Sequence, residues 1–177
     1  MKNKISRERM ITFLLETPFF EKLEPTELME IIHIVEVEEY QAGDTIFNEG
    51  DEGDAWYVVY RGMVDVLKKG ITGETKIAEI GPKGCFGEMS ILNGLPRSAT
   101  IRADEDSTVL RVKRGVFGKL IEEEHLVAYK LLHEMAILLA ERQHTSTTKL
   151  SGLLDETYVS SIQRGIRGIV GESSVRD

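Results

Sequence analysis

Between Glu36 and Arg114 the chain is cut into short runs rich in β-branched and aromatic residues, at 35–40, 45–48, 55–60, 64–68, 76–80, 99–103 and 108–113. The segments between them are turn chemistry: Gln41-Ala42-Gly43-Asp44, the acidic stretch 49–54, Arg61-Gly62, and Gly81-Pro82-Lys83-Gly84, each with glycine available for positive φ. Short strands at this regular spacing close into an antiparallel β-barrel or jelly roll. Helical periodicity flanks the strand region. Apolar residues recur at helical spacing over 10–15 and 26–35, broken by Thr17–Phe20, with Pro25 in the first turn of the second helix, where a missing N–H costs least. Phe19, Phe20, Leu23 and Leu28 are expected to pack against the sheet. After Arg114 a brief helix over 117–121 and a long one from Leu126 to about Thr145 follow. The fold class expected is therefore α+β, with N-terminal helices, an antiparallel barrel or jelly roll, and a long C-terminal helix.

Inside the strand region one string, FGEMSILNGLPRSAT at 86–100, has residue types that make sense together around a small anion. Gly87 removes a side chain where a ligand would approach the backbone, and Met89 to Leu92, with Ser90 among them, suffices for one short helical turn whose free N–H groups attract negative charge. Asn93-Gly94 ends the turn and Pro96 stiffens the exit. Arg97 offers a planar fork of donors suited to phosphate oxygens, Ser98 adds a hydroxyl, and Ala99 is small enough to leave its own N–H reachable. Glu88 would repel a phosphate unless a sugar lay between them. A carboxylate accepting from a ribose hydroxyl while an arginine holds the phosphate would recognise the two ends of a cyclic nucleotide. The plain alternative, a surface ion pair between Glu88 and Arg97, contributes little and leaves the rest of the string unexplained.

This string resembles the phosphate-binding cassette of the cyclic nucleotide-binding domain family, which has the form FGE, an apolar turn, then PR and small residues. The resemblance extends to the N-terminal domain of catabolite activator proteins and to kinase regulatory subunits. It implies that Glu88 takes the ribose hydroxyl, Arg97 the cyclic phosphate, Gly87 and Ala99 supply backbone amides, and Ser98 meets the phosphate or the base, with Phe86, Met89 and Ser90 completing the ligand-binding set. The serine after the arginine leans toward cAMP, with cGMP the alternative. By the same resemblance the acidic loop folds over the ribose side, giving Gly53 and Asp54 second-shell contacts, and the N-terminal helices move when ligand binds. Arg142 and Gln143, on the polar end of the long helix, would cap the purine, with Thr145 and Ser146 next if the register slips.

Composition narrows the function classes. A formal net charge of −8 over 177 residues argues against a general nucleic-acid or anionic-membrane surface, so the anion chemistry is local. With Cys85 alone, one chain builds no disulfide, iron–sulfur cluster or thiolate zinc site, and a reducing compartment is expected. Lys2, Lys4, Arg7 and Arg9 precede a short apolar run that Glu16 interrupts, without a secretion-type cleavage site, and no run is long enough to span a bilayer; a cytoplasmic protein is expected. The loop 49–54 spaces Asp51, Glu52 and Asp54 closely but lacks the length and distal glutamate of an EF-hand, so a solvated turn and no metal are expected. His33, His125, His133 and His144 all fall on predicted helices, leaving the barrel no imidazole for a metal-dependent enzyme, and no nucleophile motif occurs in the strand region.

Three segments follow: 1–35, helical; 36–146, the barrel with cassette 86–100 and C-terminal helices over 114–146; and 147–177, a short extension in which 150–154 and 162–170 leave room for small helical pieces only. Ser151-Gly152 and 171–177 read as loosely ordered, and a helix-turn-helix unit cannot be completed there, so no nucleic-acid partner is expected. On the long helix, Leu131, Met135 and Leu138 lie beside Leu132, Ala136 and Leu139, an apolar face wide enough for the barrel and for a second copy or another partner. The expected function is a non-catalytic sensor that binds a cyclic nucleotide and passes binding through this helix to a homodimer or an effector protein. The alternatives are a barrel that binds no nucleotide and serves as an interaction scaffold, or a transcription regulator of the catabolite activator type.

Overall fold

The computed structural model describes residues 5–172, with side chains described up to Leu153. Lys2, Lys4 and 173–177 lie outside the described residues, as do the side chains of 162–170. The chain divides into two units, 1–135 and 136–177.

The first unit opens with α1 (Arg7–Leu15), capped by the Ser6 hydroxyl, which accepts from the Arg9 N–H at 3.3 Å. Pro18–Phe20 forms a 3₁₀ turn, and α2 (Pro25–Ile34) begins on the proline as the sequence requires. The strands follow as β1 (Val35–Tyr40), β2 (Thr45–Phe47), β3 (Ala55–Arg61), β4 (Val64–Gly70), β5 (Gly73–Ile80), β6 (Cys85–Phe86), β7 (Thr100–Ala103) and β8 (Ser107–Lys113), with α3 (Glu88–Asn93) between β6 and β7. They form two four-stranded antiparallel sheets of order β1-β8-β3-β6 and β2-β7-β4-β5, the jelly-roll-like arrangement expected. After β8 come α4 (Arg114–Glu122) and α5 (Leu126–Glu172), whose residues up to Met135 belong to this unit.

β3 is buried on both faces and divides the core in two. Its alternate residues Ala55, Tyr57 and Val59 join Val64, Phe86, Ile101 and Val109 between the sheets. Trp56 and Val58 point the other way, beside their cross-strand partners Val112 and Leu110. Trp56 is fully buried among Phe19, Phe20 and Phe117, at ring separations of 5.4, 6.3 and 6.1 Å. That aromatic cluster joins the 3₁₀ turn and α4 to the outer face of the sheet, as expected of Phe19 and Phe20; Leu23 and Leu28 are buried as well.

Two expectations need correction. β6 is an additional strand of two residues, which lacks the length for any periodic signal, although its register Tyr57↔Phe86 and Val58↔Cys85 fixes the start of the cassette. α5 continues to Glu172, where short pieces and a loose Ser151-Gly152 were expected. No proline follows Pro96, and a serine and a glycine cost a helix only about 0.5–1 kcal/mol each relative to alanine, too little to end one. Among the described residues no helix is long and apolar enough to cross a membrane.

Candidate functional site

The cassette begins where β6 stops pairing with β3. Gly87 follows Phe86 with φ +80°, and a Cβ there would lie 2.7 Å from Arg97 Nη1 and 3.2 Å from the Ala55 carbonyl oxygen. Only glycine fits both the backbone and the space. The chain then turns into α3, a helix of six residues that buries Glu88 and Ser90 on one side and exposes Met89 and Leu92 on the other. The acidic loop is seated directly on this helix. A Cβ on Gly53 would lie 2.0 Å from Ser90 Cβ, so the close approach of loop to helix depends on that glycine.

Arg97 is the centre of the arrangement. It is 2% exposed, and its guanidinium lies over the Phe47 ring at 4.0 Å and near the Tyr57 ring at 5.8 Å. Tyr57 in turn stacks on Phe86 at 4.9 Å. Nη1 donates to the Gly87 carbonyl at 2.9 Å and Nη2 to Asp54 Oδ1 at 3.2 Å, while the buried Nε has no hydrogen-bond acceptor among the described residues. Burial lowers the Arg97 pKa against the opposing pull of Tyr57 and Asp54, yet a guanidinium starts so high that the group stays charged. Asp54, 59% exposed, bridges Arg97 to Arg111, which also reaches Glu38 at 3.3 Å. Burial raises the Tyr57 hydroxyl pKa, keeping the ring neutral beside the two arginines.

The arginine's main chain is held as firmly. Its N–H donates to the Asp51 carbonyl at 2.8 Å and its carbonyl accepts from the Gly50 N–H at 2.9 Å. Residues 49–54 are thus more than the solvated turn expected: their backbone and Asp54 carry Arg97. Ser98 is exposed, with Oγ 3.5 Å from Met89 Sδ, and Ala99 is half-buried ahead of β7.

Phe86, Gly87, Glu88, Met89, Ser90, Arg97, Ser98 and Ala99 therefore gather on one turn-and-return of the chain in the first unit. Arg142 and Gln143 lie on α5 in the second unit, where Gln143 donates to Thr147 Oγ1 at 3.5 Å. Sequence reasoning missed Phe47, Tyr57 and Arg111 as neighbours of the arginine and Gly87 O as its acceptor, because strand pairing brings them in from distant parts of the chain. An open surface cavity of about 380 Å³, lined by Glu8, Arg9, Thr12, Phe13, Glu16 and Tyr60, shares no residue with the cassette. Among the described residues, no three His, Cys, Asp or Glu side chains gather as a metal site would require.

The arrangement can place a fixed cation, oriented main-chain amides and an acidic side chain around a small anion attached to a hydroxylated ring. Comparison with known proteins points the same way. A family model described as cyclic nucleotide-binding domain matches residues 37–124. The cAMP-dependent protein kinase regulatory subunit of Aspergillus niger is 37% identical over 122 residues, which are 68% of this chain and 29% of that protein, so the chain spans under a third of that relative's length. Among solved structures, the catabolite activator protein of Thermus thermophilus is 34% identical with a TM-score of 0.67, covering 77% of this chain and 62% of that one. The N-terminal domain of a transcriptional regulator from Streptomyces coelicolor is 30% identical with a TM-score of 0.64, covering 76% of this chain and 94% of that one. On its cassette, its two sheets and these likenesses, the chain belongs to the cyclic nucleotide-binding domain family.

Proposed function

We propose that this protein is a non-catalytic sensor that binds a cyclic nucleotide, cAMP in preference to cGMP, and passes the binding event through α5 to a second copy or an effector protein. The observation that carries the reading is the buried Arg97 guanidinium, over the Phe47 ring and hydrogen-bonded to the Gly87 carbonyl at the mouth of α3. A charge is costly to bury, and one kept beside the start of α3 suits an anionic ligand. In this reading Arg97 holds the cyclic phosphate with the amides of Gly87 and Ala99, and Glu88 accepts from the ribose 2′-hydroxyl. Phe86, Met89, Ser90 and Ser98 line the remaining contact. Arg142 and Gln143 would meet the purine when the ligand is bound. The name of the Aspergillus niger relative, a cAMP-dependent regulatory subunit, supports cAMP, as does Ser98 in place of a threonine. The single buried cysteine suits a reducing, cytoplasmic setting.

A scaffold reading, in which no nucleotide binds, draws on the Asp54 carboxylate, which already occupies one edge of the Arg97 fork. Asp54 is largely exposed and shared with Arg111, so a phosphate can compete for the arginine without leaving the carboxylate alone. Thermal unfolding with cAMP and cGMP separates the readings. Ligand at 100 times its dissociation constant should stabilise the fold by about 2.7 kcal/mol, with cAMP effective at the lower concentration. No shift with either nucleotide favours the scaffold.

A further inference from the structure

We infer that Lys68, a residue of β4 outside the cassette, is a positioning residue for the ligand's phosphate, acting through the Ser98–Ala99 peptide; this rests on the reading of the cassette as a cyclic nucleotide site. The Lys68 ammonium donates to the Ser98 carbonyl oxygen at 2.8 Å and to Glu49 Oε1 at 2.6 Å. The other Glu49 oxygen accepts from the Lys69 N–H at 3.0 Å, and the Glu49 N–H donates to Thr100 Oγ1 at 2.9 Å. Lys68 is therefore pinned between a fixed carboxylate and the cassette exit, one residue beyond the register pair Leu67↔Thr100 that joins β4 to β7. Hydrogen bonding from Lys68 and the Lys69 N–H keeps the Glu49 carboxyl below its ordinary pKa.

The consequence follows from the planarity of the peptide bond. In a trans peptide the C=O and the next N–H point in opposite directions, so a group that fixes the carbonyl also aims the amide. The two peptides around Ser98 are both fixed at the carbonyl end: Arg97 C=O by the Gly50 N–H at 2.9 Å, and Ser98 C=O by Lys68. Their N–H groups, those of Ser98 and Ala99, are directed away from these partners. The first of these restraints is main chain and is indifferent to side-chain substitution. The second is made by the Lys68 side chain. An ammonium on the Ser98 oxygen also polarises the peptide, making the Ala99 N–H a stronger donor to an anion. Lys69 carries the same charge one residue along the strand; its backbone N–H hydrogen-bonds Glu49, and its ammonium acts on that carboxylate through space without a hydrogen bond to the Ser98 carbonyl among the described residues.

The test is calorimetric titration of cAMP into the wild-type chain, Lys68→Met, Lys68→Arg and Lys69→Met, with unfolding midpoints of the free proteins and the Ala99 amide proton resonance of the complexes. Lys68→Met should weaken binding about five- to tenfold with an unchanged midpoint and an upfield move of the Ala99 amide, reflecting a weaker donor. Lys68→Arg, which keeps a donor and a charge, should bind within about twofold of wild type. Lys69→Met should leave affinity and the Ala99 resonance unchanged. Equal losses in Lys68→Met and Lys69→Met would overturn the inference in favour of net charge. So would wild-type affinity in Lys68→Met, or a loss that tracks a lowered midpoint and is not rescued by arginine. Failure of the wild-type chain to bind cAMP or cGMP would instead overturn the reading of the cassette, and this inference with it.

Discussion

Arg97, on a connecting segment, is bound to its surroundings by several independent restraints. Both of its main-chain groups are taken by 50–51, its fork by Gly87 O and Asp54, and its face by Phe47. Gly87 is where the arginine itself presses on the backbone, since the space a side chain would need is filled by the guanidinium. Gly87→Ala should lose about 1–2 kcal/mol from the backbone conformation alone, read from denaturant midpoints, and should weaken ligand binding further by displacing Nη1. A stability within about 0.5 kcal/mol of wild type would show that neither the backbone conformation nor the guanidinium resists a side chain there. Glycine, acid, proline and arginine in order made the cassette legible in the sequence, because each residue type serves a distinct local need. The aromatic neighbours were not legible. Phe47 and Tyr57 read as ordinary core residues of β2 and β3, and only the register of the folded sheets brings them beside the cation.

At the scale of elements, the helices that precede and follow the strands along the chain are joined by ion pairs as well as by the Trp56 cluster. His125, just ahead of α5, lies 2.7 Å from Glu30 on α2 through Nδ1 and 3.3 Å from Glu123 through Nε2. Lys130 and Lys22 add pairs to Glu27 and Glu134, both at 2.7 Å. The hydrogen bond to Glu30, with Glu123 behind it, raises the His125 pKa above its ordinary value. A raised histidine pKa means that its contribution is fully present below the unfolded-state value and is lost as pH rises through the folded-state value. Denaturant midpoints should therefore fall as pH is raised from about 6 to about 8.5, and His125→Gln should flatten that slope. An identical slope in the variant would remove His125 from the account. Strand and helix positions were mostly readable from periodicity and turn residues, with α1, β5 and α4 each starting three residues earlier than expected. β6 was invisible because two residues carry no period, and α5 was underestimated because its apolar stripe turns polar after Leu139 and the helix was ended near Thr145, with Ser151-Gly152 read as loose beyond it.

For the whole molecule, the question is what α5 meets beyond the first unit. Ile137, Leu150 and Leu153 are exposed on its second-unit stretch, and the proposed function assigns such a surface to a second copy or an effector protein. If the partner is a second copy, sedimentation velocity should show a concentration-dependent dimer, and Leu150→Ser combined with Leu153→Ser should shift it toward monomer. A monomer at all concentrations, with or without cAMP, would leave an effector protein as the recipient of the signal. The family resemblance could be read from the cassette alone, whereas the recipient could not, because an exposed apolar stripe does not identify what covers it.

The central claim is that one buried guanidinium is the anion receptor of a cyclic nucleotide site, and isothermal titration of cAMP into the wild-type chain and Arg97→Ala tests it most directly. Saturable one-to-one binding by the wild type, weakened about two to four decades in the variant, corresponds to the roughly 3–5 kcal/mol expected when a buried charged partner is removed. Equal affinity in the two proteins, with both folded, would contradict it.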